Sequence, residues 1–192
     1  MYYKYIEEFL TKEECEAIIE FGDSHELKRL TAVKKNPDGT FSAENFEDKL
    51  HKRSGTYFRP SVIESNKLIN NVQKKTVDLL NKELPFKNTT FTHIKSLTFN
   101  KYVEGDFLNT HQDLHELNGG ASITVLYQLN DDYQGGHVTY VDNDEKTRIV
   151  KKKQGSVFLF DPSIFHSVQT ITKGVRFSMN SWPSIKQTKS LL

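Results

Sequence analysis

The segment Tyr102-Val-Glu-Gly-Asp-Phe-Leu-Asn-Thr-His111-Gln-Asp113 carries two candidate metal ligands on a strand-like stretch. His111 and Asp113 are two residues apart, so on an extended chain their side chains point to the same side. His166 follows on a later strand-like segment. Two imidazoles and one carboxylate in this order are typical of a facial triad, which holds Fe(II) on one face and leaves the opposite positions open. The segment therefore predicts a metal site inside a β-structure.

A cation and a hydroxyl follow the third candidate ligand. Arg176 comes after His166, and Ser178 lies two residues further on the same predicted strand face. A guanidinium stays charged and can bind a carboxylate through two parallel hydrogen bonds. A surface His-x-Asp pair and a core histidine on an ordinary β-domain remain the alternative. The metal site is favoured because each candidate lies on a strand-like segment bounded by Gly or Pro turns.

The sequence changes character near residue 91. Residues 1–90 predict a support region of helices and loops, whereas residues 91–183 predict many short strands with turns every few residues. Short, evenly spaced strands indicate a sandwich or barrel, and the jelly-roll (cupin-like) solution suits a buried metal. The predicted fold class is mostly β with flanking helices (α+β), in a single domain over residues 1–192. Residues 121–130 are almost entirely apolar and predict a central strand.

Two helices are predicted in the support region. Thr11 and Glu14 form a capping-box pattern, and the helix that follows is predicted to end near Phe21 with Gly22 as its stop. Apolar residues at three- and four-residue spacing predict one further helix over residues 61–84. Both helices are expected to pack on the outside of the β-core.

The region between the helices is less regular. Thr31-Ala-Val-Lys predicts a strand that enters a turn at Asn36-Pro-Asp-Gly39. Residues 23–50 as a whole are interpreted as a loop rather than as an ordered flap over the site. Residues 52–59 predict another strand, on which Arg53 could reach a substrate, although a solvated position is the preferred interpretation.

Strand periodicity also predicts how the candidate residues face the cavity. Tyr102 lies on the face of its strand that is expected to line the cavity. His166 and Arg176 are placed on adjacent strands of one hairpin, in which Arg176 would lie opposite Thr170. The loop Thr172–Gly174 would have the odd length that this register needs, with Gly174 in the left-handed conformation.

Composition limits the possible partners and location. The net charge is +1, so no overall positive field attracts nucleic acid. Cys15 is the only cysteine, which rules out an internal disulfide and favours a reducing, cytoplasmic compartment. No apolar run approaches the roughly 20 residues of a membrane span, and the first residues do not form a signal peptide. Neither a nucleic-acid partner nor a membrane is therefore expected.

Several motifs together resemble a known family, the Fe(II)/2-oxoglutarate-dependent oxygenases of the prolyl 4-hydroxylase-like group, in particular small bacterial and phage members. The resemblance spans nearly the whole chain and is strongest after residue 97. The matching motifs are Phe9-Leu-Thr-Lys-Glu-Glu-Cys15, Arg53-Ser-Gly-Thr-Tyr-Phe58, Tyr102-x-x-Gly105 with His111-x-Asp113, Leu129-Asn-Asp-Asp-Tyr-Gln-Gly-Gly136, Gly155-Ser-Val-Phe-Leu-Phe160, His166-x-Val168 and Lys173-Gly-Val-Arg176-x-Ser178.

The resemblance implies a double-stranded β-helix, the cofactor Fe(II), the cosubstrate 2-oxoglutarate, O2 and, as an optional addition, ascorbate. His111, Asp113 and His166 would hold the metal and act as the catalytic centre. Arg176 would bind the distal carboxylate of 2-oxoglutarate, with help from Ser178 and Tyr102. Many relatives have a tyrosine for this carboxylate where this sequence has Gln128, so an amide would make that contact or it would be lost.

The activity that the resemblance implies is hydroxylation of a C–H bond with release of succinate and CO2. A prolyl or other aminoacyl group of a peptide or protein is the expected substrate, although a small molecule stays open. Two alternatives remain: an oxygenase acting on nucleic-acid bases, and a cupin-like isomerase or ligand-binding module without oxygenase activity. The bacterial or viral origin that the resemblance suggests and the oligomeric state are not fixed by the sequence.

Overall fold

The computed structural model describes residues 1–30, 32–35, 41–44, 51–84, 89–91, 94, 97–113, 123–183 and 186–187. Two antiparallel sheets form its centre. The larger sheet contains, in spatial order, β1 (Tyr3–Ile6), β14 (Val157–Phe160), β10 (Thr124–Gln128), β17 (Arg176–Ser181), β8 (Leu97–Tyr102), β6 (Ser54–Phe58) and β2 (Lys28–Arg29). The smaller contains β13 (Thr147–Ile149), β12 (Val138–Val141), β15 (His166–Val168), β9 (Phe107–His111) and β5 (His51–Lys52).

Three short ladders and three helices complete the described structure. The ladders pair β3 (Ala32–Lys35) with β4 (Phe41–Glu44), β7 (Thr89–Thr90) with β18 (Lys186–Gln187), and β11 (Gln134–Gly135) with β16 (Ile171–Lys173). The helices are α1 (Lys12–Asp23), α2 (Pro60–Ser65) and α3 (Lys67–Glu83). Within the described residues, no helix is long and apolar enough to cross a membrane. The prediction of a mostly β fold with flanking helices and a jelly-roll core is confirmed.

The large sheet separates two differently composed layers because its side chains alternate between its faces. On β10, Val125 and Tyr127 belong to the apolar core shared with the helices. The intervening Thr124 and Leu126 line a cavity between the two sheets. Residues 121–130 were predicted as a central strand, and β10 does lie inside the large sheet with a strand on each side. The sheet therefore gives an apolar support on one face and a polar wall on the other.

Helix α1 begins as predicted but ends differently. The Thr11 hydroxyl accepts from the Glu14 N–H and the Glu14 carboxylate accepts from the Thr11 N–H, which completes the capping box. Gly22, predicted as the stop, lies inside the helix. It is buried, and a Cβ at this position would lie 2.5 Å from the Phe99 ring. Close packing of the helix on β8, rather than termination of the helix, accounts for this glycine.

The prediction of a single helix over residues 61–84 is wrong, because the helix is interrupted at Asn66 and two helices form. This residue has φ −93° and ψ 112°, which ends α2. Its side-chain oxygen accepts a hydrogen bond from the Ile69 N–H at 3.1 Å and so caps the start of α3. Asparagine is a favoured N-cap because it competes with the helical backbone for hydrogen bonds. The apolar periodicity runs through the break, so periodicity alone could not reveal it.

The loop interpretation of residues 23–50 is wrong for the two segments that form β3 and β4. The strand predicted from Thr31-Ala-Val-Lys is present as Ala32–Lys35 and pairs antiparallel with Phe41–Glu44. The turn predicted at residues 36–39 lies outside the described residues. Strand β2 also falls in this region and pairs with β6 at the edge of the large sheet.

The predicted hairpin between His166 and Arg176 is also wrong. Strand β15, which carries His166, pairs with β9 and β12 in the small sheet. Strand β17, which begins at Arg176, pairs with β8 and β10 in the large sheet, and Arg176 lies opposite Tyr102 rather than Thr170. Gly174 does take the left-handed conformation, with φ 83°. The chain crosses from one sheet to the other, so the two side chains approach across the space between the sheets.

Candidate active site

The three candidate ligands meet at one end of the small sheet. Strands β9 and β15 are neighbours, and their register places His111 opposite His166, with ring centroids 4.1 Å apart. Asp113 follows the end of β9, where its backbone N–H donates to the Pro162 carbonyl at 2.9 Å. One ligand atom from each of the three residues lies within 4.8 Å of the others. The structure therefore brings together the triad predicted from the sequence.

Hydrogen bonds orient both imidazoles in the same way. His111 Nδ1 lies 2.9 Å from the Asn109 carbonyl, and His166 Nδ1 lies 2.9 Å from the Ile164 carbonyl. A carbonyl can only accept, so each Nδ1 donates a proton, which leaves Nε2 as the nitrogen that can bind a metal. The Nε2 atoms lie 3.7 and 3.9 Å from the carboxylate oxygens of Asp113. Metal-binding histidines commonly have this arrangement, in which the outer nitrogen donates to a backbone carbonyl.

The protonation state of His111 also suits a ligand. Desolvation in the cavity wall lowers the pKa of His111 to about 4, and His166 acts in the same direction, while the Asp113 carboxylate opposes the shift. The imidazole is therefore neutral at pH 7. Neutral imidazole is the form that binds a metal.

A buried cation lies across the cavity on the large sheet. Arg176 is 1% exposed, and its Nη1 donates to the Ser178 hydroxyl at 2.8 Å. Its Nε and Nη2 atoms have no hydrogen-bond partner among the described residues. Burying a charge without an acceptor is strongly unfavourable. The free edge of this guanidinium is therefore suited to an anion that enters the cavity.

One cavity between the two sheets contains both the triad and the guanidinium. Successive side chains of β17 point to opposite faces of the large sheet, so Arg176, Ser178 and Asn180 all face the cavity. The full lining is Arg53, Tyr102, Leu108, His111, Asp113, Thr124, Leu126, Val138, Phe160, His166, Val168, Arg176, Ser178, Asn180 and Trp182. A three-ligand site and an anion site thus share one partly apolar space.

Comparison with known proteins agrees with this arrangement. Residues 97–184 match the model of the 2OG-Fe(II) oxygenase superfamily. The matched residues make up slightly less than half of the chain. They contain the triad, Arg176 and Ser178, and the cofactors of the superfamily are Fe(II) and 2-oxoglutarate.

Individual relatives support the same assignment. A PKHD-type hydroxylase from Rippkaea orientalis is 32% identical over 95 residues, which cover 46% of this chain and 42% of that protein. The match thus spans less than half the length of this relative. A probable prolyl 4-hydroxylase from Arabidopsis thaliana is 25% identical over 212 residues, covering 94% of this chain and 68% of that protein.

Solved structures share the fold of this chain at low sequence identity. A Pseudomonas putida prolyl-4-hydroxylase has a TM-score of 0.70 and 17% identity, with 94% of this chain and 91% of that chain covered. A Trichoplax adhaerens prolyl hydroxylase, solved with a peptide of the hypoxia inducible factor oxygen degradation domain, has a TM-score of 0.69 and 16% identity, with coverage of 94% and 82%. The predicted double-stranded β-helix is confirmed by this likeness.

The residues that line the cavity fit Fe(II) and 2-oxoglutarate. Two imidazoles and a carboxylate form the donor set that Fe(II) uses in facial-triad sites. The unpartnered Nε and Nη2 of buried Arg176 fit a carboxylate, which is the group at the far end of 2-oxoglutarate. Tyr102 and Ser178 line the same cavity, as the sequence predicts.

Gln128 is the candidate that the structure does not bring into the cavity lining. It is buried on β10, two residues beyond Leu126, and its amide donates to the Lys151 carbonyl at 2.7 Å and to the Ser156 hydroxyl at 2.9 Å. Both bonds tie β10 to the segment that precedes β14. The amide therefore has a structural use in place of the tyrosine contact that the resemblance implies.

The sequence does not predict the roles of two polar cavity residues, Arg53 and Thr124. Arg53 was assigned a solvated position, but its Nη1 donates to the Tyr102 hydroxyl at 3.0 Å and its Nε is buried without a described partner. Pairing of β6 with β8 places it there, and no local pattern reveals that pairing. Thr124 was predicted as part of an apolar strand, yet its hydroxyl donates to Asp113 Oδ2 at 2.6 Å.

Proposed function

We propose that this protein is an Fe(II)- and 2-oxoglutarate-dependent dioxygenase that hydroxylates a C–H bond of a prolyl or other aminoacyl group. The observation that carries the proposal is the shared cavity, in which the triad of His111, Asp113 and His166 faces the unpartnered edge of Arg176. A histidine cluster or a buried arginine can each have a purely structural role when it occurs alone. Their combination matches a metal and a cosubstrate that bind side by side.

Each side chain has a defined part in this proposal. His111, Asp113 and His166 would hold Fe(II) through two Nε2 atoms and one carboxylate oxygen. Arg176 would bind the distal carboxylate of 2-oxoglutarate through Nε and Nη2, because its Nη1 already donates to Ser178. A bidentate pair of this kind fixes orientation as well as affinity. Tyr102 packs against the Arg176 guanidinium, 5.0 Å from ring centroid to Cζ, and so limits its movement.

When bound, Fe(II) and 2-oxoglutarate supply the oxidising chemistry, in which O2, the keto acid and the C–H bond give succinate, CO2 and the alcohol. The chain contributes positioning and the exclusion of water. Leu126, Phe160 and Val168 form an apolar part of the cavity wall. An apolar wall disfavours water beside bound reactants, and exclusion of water limits unproductive oxidation.

The substrate class rests on the relatives and on the cavity. Proteins of similar sequence or structure are named prolyl hydroxylases, and one was solved with a peptide fragment. In this chain Arg53 and Trp182 add N–H donors to the cavity wall, and Arg53 Nε and Trp182 Nε1 have no described partner. Such donors suit the carbonyl oxygens of a peptide. We further propose that the protein is a single domain and acts in the cytoplasm, a reducing compartment that is consistent with the free thiol of Cys15.

The direct test is succinate formation by the purified full chain supplied with Fe(II), 2-oxoglutarate and O2. We expect slow succinate release without substrate, faster release with proline-containing peptides, and a product heavier by one oxygen atom in mass spectra. His111→Ala should abolish both signals. If the metal-loaded wild-type chain forms no succinate with any peptide and shows no absorption band on anaerobic addition of Fe(II) and 2-oxoglutarate, the oxygenase proposal is wrong.

A further inference from the structure

The three candidate ligands are held in place in different ways. Each imidazole is fixed by a hydrogen bond from its own Nδ1 to a carbonyl two residues earlier in the chain. Asp113 lies beyond the end of β9, where its backbone N–H donates to the Pro162 carbonyl. The hydrogen bond that the structure describes for the carboxylate itself comes from Thr124. This bond reaches Asp113 from the opposite sheet, since Thr124 is the first residue of β10.

The Thr124 bond distinguishes the two carboxylate oxygens. The hydroxyl donates to Oδ2 at 2.6 Å, which is a short, charge-assisted hydrogen bond. Oδ1 accepts no described hydrogen bond and lies 3.7 Å from His111 Nε2, whereas Oδ2 lies 3.9 Å from His166 Nε2, so the Thr124 bond rather than distance separates the two oxygens. A hydroxyl has one proton, so Thr124 satisfies one oxygen and leaves the other free. Thr124 is 2% exposed, which keeps water from competing for the bond.

We propose that Thr124 is a positioning residue for the metal site, which holds Oδ2 so that Asp113 presents Oδ1 to the ion as a single-oxygen ligand. The inference rests on the proposed function, because it assumes that the triad binds Fe(II). Without the hydroxyl, the carboxylate can rotate and Oδ2 loses its partner in a nearly dry site. Loss of an outer partner of a metal ligand typically weakens metal affinity by about 10- to 100-fold.

The test compares Mn(II) binding by the metal-free full chain and three variants, with Mn(II) as an air-stable probe of the Fe(II) site. Thr124→Val keeps the side-chain shape and removes the hydroxyl, and we expect its dissociation constant to rise about 10- to 100-fold. Thr124→Ser restores the donor and should bind within about threefold of wild type. Thr98→Val is the matched control, because Thr98 is also buried on the large sheet but its hydroxyl has no described partner.

A second measurement separates positioning from folding. In Thr124→Val, the electron paramagnetic resonance spectrum of bound Mn(II) should change, since the carboxylate geometry changes, while the far-ultraviolet circular dichroism spectrum of the metal-free chain should match that of wild type. In the same Thr124→Val variant, excess Fe(II) should restore succinate formation. The 2-oxoglutarate concentration needed should be unchanged, because Arg176 is intact.

The outcomes are distinguishable. Equal Mn(II) affinity in wild type and Thr124→Val overturns the positioning role while leaving the oxygenase proposal intact. Equal weakening in Thr124→Val, Thr124→Ser and Thr98→Val also overturns it, since the effect would then come from general packing. A wild-type chain that binds neither Mn(II) nor Fe(II) overturns this inference and the proposed function together.

Discussion

At the scale of single residues, Arg176 is the clearest case of a side chain whose surroundings are incomplete without a ligand. Its charge is buried, one nitrogen donates to Ser178, and two nitrogens have no described partner. Replacing a buried charge by an apolar side chain of similar size is often neutral or stabilising when the charge is unpaired. Function and stability should therefore respond to its removal in opposite directions.

We expect Arg176→Met to raise the 2-oxoglutarate concentration needed for half-maximal succinate formation by about 100-fold or more, because a bidentate ionic pair contributes several kcal/mol. The thermal midpoint of the metal-free chain should stay the same or rise. Ser178→Ala, which removes only the neighbouring hydroxyl, serves as a milder control. An unchanged 2-oxoglutarate requirement in Arg176→Met would show that the guanidinium does not bind the cosubstrate.

His111 gives a prediction about pH. Its pKa in the folded chain is lowered to about 4, below the usual value of about 6.5 in an unfolded chain. The unfolded state therefore binds the proton more readily, and stability decreases as pH falls from about 6.5 towards 4. Urea unfolding of the metal-free chain should show this loss, and His111→Gln, which cannot take up the proton, should show a smaller one. Identical pH profiles for the two chains would contradict the prediction.

At the scale of secondary structure elements, Gly22 tests how α1 packs on the large sheet. Alanine is the better helix former by about 1 kcal/mol. A Cβ at this position would nevertheless lie 2.5 Å from the Phe99 ring. We expect Gly22→Ala to destabilise the chain by about 1–3 kcal/mol, as overpacking of a core usually does. Denaturant unfolding measures this, with Glu20→Ala on the exposed side of the same helix as control, and a stabilised Gly22→Ala chain would show that α1 does not pack this closely on Phe99.

Elements also show where sequence interpretation succeeds and where it stops. Local sequence patterns predict the capping box at Thr11, the orientation of Tyr102 towards the cavity and the central position of β10. The helix break at Asn66 could not be predicted from periodicity, because the apolar residues keep their three- and four-residue spacing on both sides of it. The hairpin between His166 and Arg176 was wrong because alternation indicates which face a residue occupies but not which strand lies beside it. Strand partners are set by contacts between distant segments.

At the scale of the whole molecule, the candidate site exists only because two sheets meet. The small sheet supplies both imidazoles, and the large sheet supplies Arg176, Ser178 and Thr124. The triad could be predicted because its members have a recognisable order and composition. Arg53 and Thr124 could not be predicted, since an arginine between two short strands and a threonine in a largely apolar strand have no distinctive pattern. Their roles follow from the pairing of β6 with β8 and from the distance between the sheets.

Because the site joins both sheets, ligand binding should stabilise the entire fold, and Cys15 provides a probe. Its thiol is fully buried on α1, and burial raises the pKa of Cys15 to about 12, so the native thiol should react very slowly at pH 8. Alkylation should therefore proceed through unfolding of the chain. A ligand present at 100 times its dissociation constant stabilises the native state by about 2.7 kcal/mol. If the chain refolds faster than it is alkylated, the labelling rate follows the unfolded population, so this stabilisation slows labelling about 100-fold.

We expect Mn(II) together with 2-oxoglutarate to slow iodoacetamide labelling of Cys15, as followed by mass spectrometry. His111→Ala, which removes a proposed ligand, should label at the same rate with and without Mn(II). Rapid labelling of the native wild-type chain would show that α1 detaches locally from the sheet. Slow labelling that Mn(II) leaves unchanged, at saturating metal, would show that the triad and the core around Cys15 open independently, and the site would then not hold the two sheets together.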